Sequence, residues 1–262
     1  MIRFQHKPGL IVYVTCGDPD LATTEQIVLA AIDAGADVIE LGVPFSDPVA
    51  DGPVIQRASE RALKNRTSLS QVLELAEKIR KARPNAGLII FSYWNPVLRF
   101  GLERFCDAGY KAGIDGALIT DLSVEESEEY VRAMRARDLS TIFLAAPTST
   151  DERLQAIAQT STGFVYAVSR TGITGAQKQI SDDARKLVDH IRKYTALPIA
   201  VGFGISTAEQ FSSVGAFADA AVIGSAIVQI VEQNGPQSPV KVAEFIGGLR
   251  AEAGKSWASA HR

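Results

Sequence analysis

The chain has 262 residues, of which 46% are hydrophobic and 22% charged, and its formal net charge is −3. That length suits one large domain or two small ones and buries a full core without disulfides or a structural metal, and its charge balance leaves no basic footprint for nucleic acid. Two distant cysteines, Cys16 and Cys106, make neither a disulfide framework nor a zinc pattern and point to a reducing compartment.

In chain order, "MIRFQHKPGLIVYVTCG" opens with basic residues and an apolar run too short for a signal segment or a membrane span, and it ends in a Gly-Asp-Pro turn. The expectation is a cytoplasmic chain with no membrane contact. Short β-branched runs then recur at 10–15, 37–41, 87–93, 116–120, 141–146, 163–168, 198–203 and 220–225. Amphipathic stretches lie between them, among them "TTEQIVLAAIDAG", "SLSQVLELAEKIRKA", "SVEESEEYVRAMRAR" and "SDDARKLVDHIRKY". Eight apolar strands with helical crossovers predict a parallel sheet. A weak repeat supports closure: "AGADVIELG", "AGIDGALITD" and "VGAFADAAVIG" each end a helix on Gly, pass an Asp and enter a strand. The pattern predicts a single (β/α)8 TIM barrel over 1–262, with its chemistry in the loops that follow the strands.

Those loops carry the informative residues. "ELGVPFSDPVADGP" (40–53) leaves the second strand with three prolines, which stiffen the loop that carries Glu40 and Asp51. Glu40 suits general acid–base work if it points into the mouth; a strand-end ion pair is the plainer alternative. Asp51 and Asp47 each stand beside a turn that they could simply cap. "VGFGIS" and "VIGSAI" follow the seventh and eighth strands, where glycine loops and a helix N-terminus commonly hold phosphate. "SRTGITGAQ" (169–177), with Gly172 and Gly175 as hinges, Arg170, and hydroxyls at Thr171 and Thr174, reads as a lid, a disordered surface loop with no role being the plainer alternative. Tyr13, Phe91, Tyr93, Tyr166 and Phe203 end strands and could wall a flat apolar pocket. His6, His190 and His261 end none, so no metal centre is expected.

The stretch "DAGADVIELGVPFSDPVADGPVIQRAS" closely resembles the signature of the tryptophan synthase α subunit family. The likeness continues through "VTCGDPD", "SYWNPV", "GIDGALITDLSVEES", "IFLAAPTSTDERL", "GFVYAVSRTGITGA", "VGFGIST" and "AAVIGSAIV". The resemblance implies a barrel that cleaves indole-3-glycerol phosphate to indole and glyceraldehyde 3-phosphate. It also implies a β-subunit partner in an α2β2 complex, with pyridoxal phosphate in that partner and no cofactor in this chain. Glu40 would be the general acid–base and Asp51 the acid that holds the indole N–H. Thr174 would contact Asp51 on closure, and Gly175, Gly204, Gly224 and Ser225 would bind phosphate. Tyr13, Phe91, Tyr93, Tyr166 and Phe203 would line the pocket, and Pro44 and Asp47 would face the partner.

Three departures from the family pattern set further expectations. The helix that usually precedes the first strand is shortened or absent, which should expose an apolar barrel bottom. "TDLS" (120–123) replaces a proline-richer loop and should be more mobile, and Trp94 should narrow the pocket or the tunnel entrance. A stand-alone lyase, a silent regulatory barrel, or another phosphate-binding isomerase or epimerase are the competing functions. The intact Glu40, Asp51 and Thr174 argue against the silent barrel, and the absence of strand-end histidines against a metal-dependent epimerase.

Overall fold

A computed structural model describes residues 2–168, 182–202 and 204–260, the side chains of 255–260 set aside. The first half runs β1 (Gly9–Thr15), α1 (Leu21–Asp33), β2 (Val38–Gly42), α2 (Pro53–Lys64), α3 (Leu69–Ala82), β3 (Gly87–Ser92), α4 (Trp94–Phe100), α5 (Leu102–Ala112) and β4 (Gly116–Ile119). The second half runs α6 (Glu128–Arg135), β5 (Ser140–Ala145), α7 (Asp151–Thr160), β6 (Val165–Val168), α8 (Asp182–Ile191), β7 (Ile199–Gly202), α9 (Ala208–Val214), β8 (Ala220–Ile223), α10 (Ser225–Asn234) and α11 (Ser238–Ala260). Every strand pairs in parallel with the next, and β1 pairs with β8, which closes the barrel. The fold is the TIM barrel that the strand pattern predicts.

Alternation along each strand divides the core in two. Outward residues such as Leu10, Val12, Ile39, Leu41, Leu88 and Ile90 pack under the helices. Inward residues Ile11, Val38, Ile89, Leu118, Ile142 and Phe164 form a separate cluster inside the barrel. Strands buried on both faces need apolar residues at every position, which is why β1 reads GLIVYVT without a polar break before Thr15.

The bottom of the barrel is not open. Residues 2–8 contain no helix, yet Ile2 is only 5% exposed and joins the inner cluster. Phe4 stacks edge-on against Phe164 at 6.2 Å. Burying Ile2 contributes roughly 1.5–3 kcal/mol. A non-helical segment therefore does the sealing, and the expected exposed apolar floor is absent.

The Gly–Asp repeat has a structural meaning. Gly35 and Gly113 end their helices at φ 110° and 73°, which favours glycine, whereas Gly215 stays right-handed at −59°. The three aspartates share one job. Asp37, Asp115 and Asp219 accept the backbone N–H of Leu10, Leu88 and Ile199 at 2.8, 2.9 and 2.8 Å. Each also binds an arginine: Arg250, Arg80 and Arg192 respectively. Each stitch ties the start of one strand to the residue preceding its neighbour, so the floor of the barrel is pinned while the opposite face is left free for loops.

Candidate active site

Glu40 sits inside the barrel. Its register partner on β1 is Tyr13 and on β3 is Ile89, so it occupies the inward layer just above the apolar plug. It is 1% exposed, and its Oε1 has no hydrogen-bond partner among the described residues. Desolvation alone pushes its carboxyl up to about 8. A structural ion pair would do the opposite, so the strand-end salt-bridge alternative fails. Glu40 is a protonated acid at neutral pH that becomes a base on losing its proton.

Asp51 comes from the far end of the stiff loop. The N-cap of α2 is Gly52, which makes no side-chain cap, with Pro53 at the first turn. Asp51 is therefore free of the capping role that its position suggested. Its Oδ2 accepts a hydrogen bond from Tyr93 Oη at 2.9 Å, and that oxygen in turn accepts from Ala50 N–H at 3.0 Å. Burial raises the Asp51 carboxyl to about 6, and the Tyr93 hydrogen bond works against that rise. Two carboxyl groups thus face one mouth in different environments, one dry with an oxygen that no described residue satisfies, the other wetter and held by a phenol. Such a pair separates acid and base roles.

Four of the five aromatic residues expected to wall the pocket, Tyr13, Phe91, Tyr93 and Tyr166, are among the described residues. Tyr13 and Phe91 meet edge-to-face at 5.0 Å, and Phe45 lies against Tyr93 at 5.2 Å. Room for the tyrosine rings comes from glycine: a Cβ on Gly42 would lie 2.4 Å from Tyr13 Oη, and one on Gly202 would lie 2.5 Å from Tyr166 Oη. Across the mouth, Gly224 caps α10 without a side-chain bond, Ser225 begins that helix, and no acidic residue occupies its first turn. Gly204 has φ 66°, with open space where its side chain would be. These are the conditions for an anion to approach main-chain N–H groups at a helix N-terminus.

Not every expected residue can be placed. Thr174, Gly175 and Phe203, with the rest of the 169–177 stretch, lie outside the described residues. Asp47 is exposed, with Ser46 Oγ donating to its Oδ2 at 2.5 Å, but Pro44 is buried within the chain as it leaves β2. Val49, 84% exposed, is the large apolar side chain that this loop presents to solvent. Trp94 does not narrow the pocket: its ring turns to the outer layer and meets Tyr130 edge-on at 6.0 Å. The "TDLS" loop is anchored where it leaves β4. Asp121 Oδ1 accepts Trp94 N–H at 2.6 Å, and Thr120 N–H and Oγ1 donate to Ser92 O at 2.9 and 3.3 Å.

Among the described residues, no group of three or more His, Cys, Asp or Glu could hold a metal, and no helix is long and apolar enough to cross a membrane. His6 and His190 bind Asp37 and Asp151 instead. Cys16 and Cys106 are buried and unpaired, and burial raises both thiols.

The family model described as "Tryptophan synthase alpha chain" matches residues 2–253. The chain belongs to the tryptophan synthase alpha chain family. It is 51% identical over 241 residues to the alpha chain of Solibacter usitatus, covering 92% of this chain and 90% of that one. It is 44% identical over 248 residues to that of Geotalea uraniireducens, covering 94% and 92%. Among solved structures, the tryptophan synthase A-subunit of Pyrococcus furiosus superimposes with a TM-score of 0.87 at 36% identity, covering 94% and 98% of the two chains. A tryptophan synthase structure from M. tuberculosis gives 0.86 at 34%, covering 94% and 92%. For this member of the alpha-chain family, the structure adds features that sequence reasoning missed. Leu144 on β5 points inward beside Tyr166 and packs on the inner cluster, and Thr120 faces the Tyr93 phenol. The hydroxyl of Tyr93 is a hydrogen-bonding group as well as a wall. Nothing in a short apolar run distinguishes an inward leucine at the mouth from one in the core.

Proposed function

We propose that this chain is a carbon–carbon lyase that cleaves indole-3-glycerol phosphate to indole and glyceraldehyde 3-phosphate, as the alpha subunit of tryptophan synthase. The observation that carries the assignment is Glu40, a carboxyl held protonated at neutral pH by burial inside the barrel, with an oxygen that no described residue satisfies. A group built only for stability would be paired.

Chemistry follows from the two environments. Glu40 donates its proton to C3 of the indole ring, leaving positive charge on the ring nitrogen. The Asp51 carboxylate accepts the indole N–H hydrogen bond and stabilises that charge as it develops. The Glu40 carboxylate then takes the proton of the glycerol hydroxyl next to the ring. The carbon–carbon bond breaks, the aldehyde forms, and its electron pair restores the aromatic indole. Glu40 ends protonated, as it began. Tyr13, Phe91 and Tyr166 would hold the flat ring, while Gly204, Gly224 and Ser225 would receive the phosphate, joined by Gly175. Phe203 would complete the aromatic wall, and Thr174 would meet Asp51 as the lid closes.

The family's naming as an alpha chain implies a beta-subunit partner. We place that partner against the 44–49 loop, where Asp47 and Val49 are exposed, in an α2β2 assembly whose pyridoxal phosphate belongs to the beta subunit. This chain's own residues account for the cleavage proton by proton. The test is indole release from indole-3-glycerol phosphate by the purified chain, alone and with a beta subunit. Slow release that the partner accelerates supports the subunit reading. Fast release alone makes the chain a stand-alone lyase, and no release in either condition overturns the catalytic reading.

A further inference from the structure

Two helices carry the two halves of the site. α2 begins directly after Asp51, and Gln56 on its first turns donates to the Asp51 carbonyl at 2.9 Å. α10 begins at the Gly224–Ser225 phosphate loop. They meet over β1, where Ala58 of α2 and Val228 of α10 pack with Tyr13. That contact is apolar and therefore non-directional, so it permits sliding along the helix axes.

Further along, four charges from three elements lock together. Arg57 Nε and Nη2 donate to Glu232 of α10 at 2.9 and 2.8 Å. Arg61 Nη1 reaches the same carboxylate at 2.8 Å. The remaining fork of Arg61 grips both oxygens of Asp18, in the loop after β1, at 2.8 Å each. Asp18 has a side chain only 3% exposed, which gives the network one buried anchor. Guanidinium–carboxylate forks are directional, unlike the apolar contact above them. The arginine hydrogen bonds pull the Glu232 carboxyl down to about 2, so Glu232 stays charged throughout the working pH range.

The geometry points to a positioning role: the Arg57–Glu232–Arg61–Asp18 clamp sets the axial register of α2 against α10, and thereby the spacing between Asp51 and the phosphate loop. The clamp acts on a substrate whose ring and phosphate must be engaged together, and a displacement of about 1 Å of one half against the other can cost about a hundredfold in rate. This inference rests on the proposed reaction, because it needs a ligand that spans both halves.

The experiment uses Glu232→Ala and Arg61→Lys in the full chain. It measures kcat and KM for indole-3-glycerol phosphate, inhibition by indole alone and by glycerol phosphate alone, and the melting temperature. The clamp predicts that each half-ligand binds within about twofold of wild type, because each half-site is locally intact, while kcat falls about ten- to a hundredfold. Arg61→Lys should resemble Glu232→Ala, since it keeps the charge and loses the fork. The melting temperature should move by no more than about 3 °C for a partly exposed network. Wild-type kcat in both variants would overturn the clamp. So would a loss of half-ligand binding as large as the loss in kcat, which would show general loosening of the site. An active wild type with unaffected variants sinks the clamp alone; a wild type that releases no indole sinks the reaction and the clamp together.

Discussion

Asp37 and Glu40 lie three residues apart at and within the same strand, and both are nearly sealed from water, at 7% and 1% exposure. They are opposites in every other respect. Asp37, at the barrel floor, accepts the N–H groups of Gln5 and Leu10, the His6 ring and the Arg250 guanidinium. Glu40, at the mouth, has an oxygen with no partner among the described residues and a carboxyl raised by burial. A buried carboxylate that is fully hydrogen-bonded holds a fold together, while one left short of partners costs stability and is poised for proton transfer. Burial alone does not tell them apart. The difference is in the partners.

The sharpest way to test that contrast is to remove the carboxylate at the mouth. Glu40→Gln should lower kcat/KM for indole release by about a thousandfold while leaving circular dichroism unchanged. It should also change the pH dependence of stability. The folded Glu40 binds its proton up to about pH 8, whereas the unfolded carboxyl releases it near 4.5. Between those values the folded state holds more protons, so wild-type stability falls as pH rises from about 4.5 to 8 and then levels off. The whole effect is on the order of a few kcal/mol. Denaturant titrations at pH 5 and pH 8 should show this fall in wild type and its absence in the glutamine variant. Equal slopes with pH would break the comparison.

Asp37→Asn should do the reverse. It leaves Arg250 without its buried counter-charge and is expected to cost about 3–5 kcal/mol in urea unfolding, with kcat per folded molecule within about twofold of wild type. A variant of normal stability and low activity would invert the assignment of floor and mouth.

Tyr93→Phe tests the second carboxylate. Losing one hydrogen bond to a charged group should lower kcat by about tenfold. Because that bond opposes the rise of the Asp51 carboxyl toward about 6, the acidic limb of the pH–rate profile should move to higher pH. An unmoved limb would mean that Asp51 is not the group titrating there. The smallest effect belongs to Asp219→Asn, at the floor but with a side chain 35% exposed. It should cost about 1–2 kcal/mol of stability, less than Asp37, and leave turnover untouched. A loss as large as that of Asp37→Asn would show that exposure does not grade the floor stitches.

Much of this was legible in the chain as text. Strand positions followed from β-branched runs, because a strand covered on both faces has little choice of residue. The stiff loop from Glu40 to Asp51 followed from its prolines and the glycine loops from their places in the order. Other readings needed the folded molecule. Whether Asp51 capped α2 or faced the mouth turned on one hydroxyl, Tyr93, 42 residues away along the chain. Trp94 was adjacent to a pocket residue in sequence yet belongs to the other face of the strand end, since successive side chains there diverge. The missing N-terminal helix read as an exposed barrel bottom, yet Ile2 joins the inner cluster and covers it.

By itself the sequence determined the element order, the parallel barrel and the loops in which chemistry sits, because these depend on local periodicity and on turn residues that act over a few positions. Tertiary structure decided which buried acid is satisfied and which is not. It also decided which helix is clamped to which, as with Arg61 holding Glu232 from 171 residues away. Desolvation and hydrogen-bond partnership are properties of surroundings assembled from the whole chain, and no residue carries them in its own name.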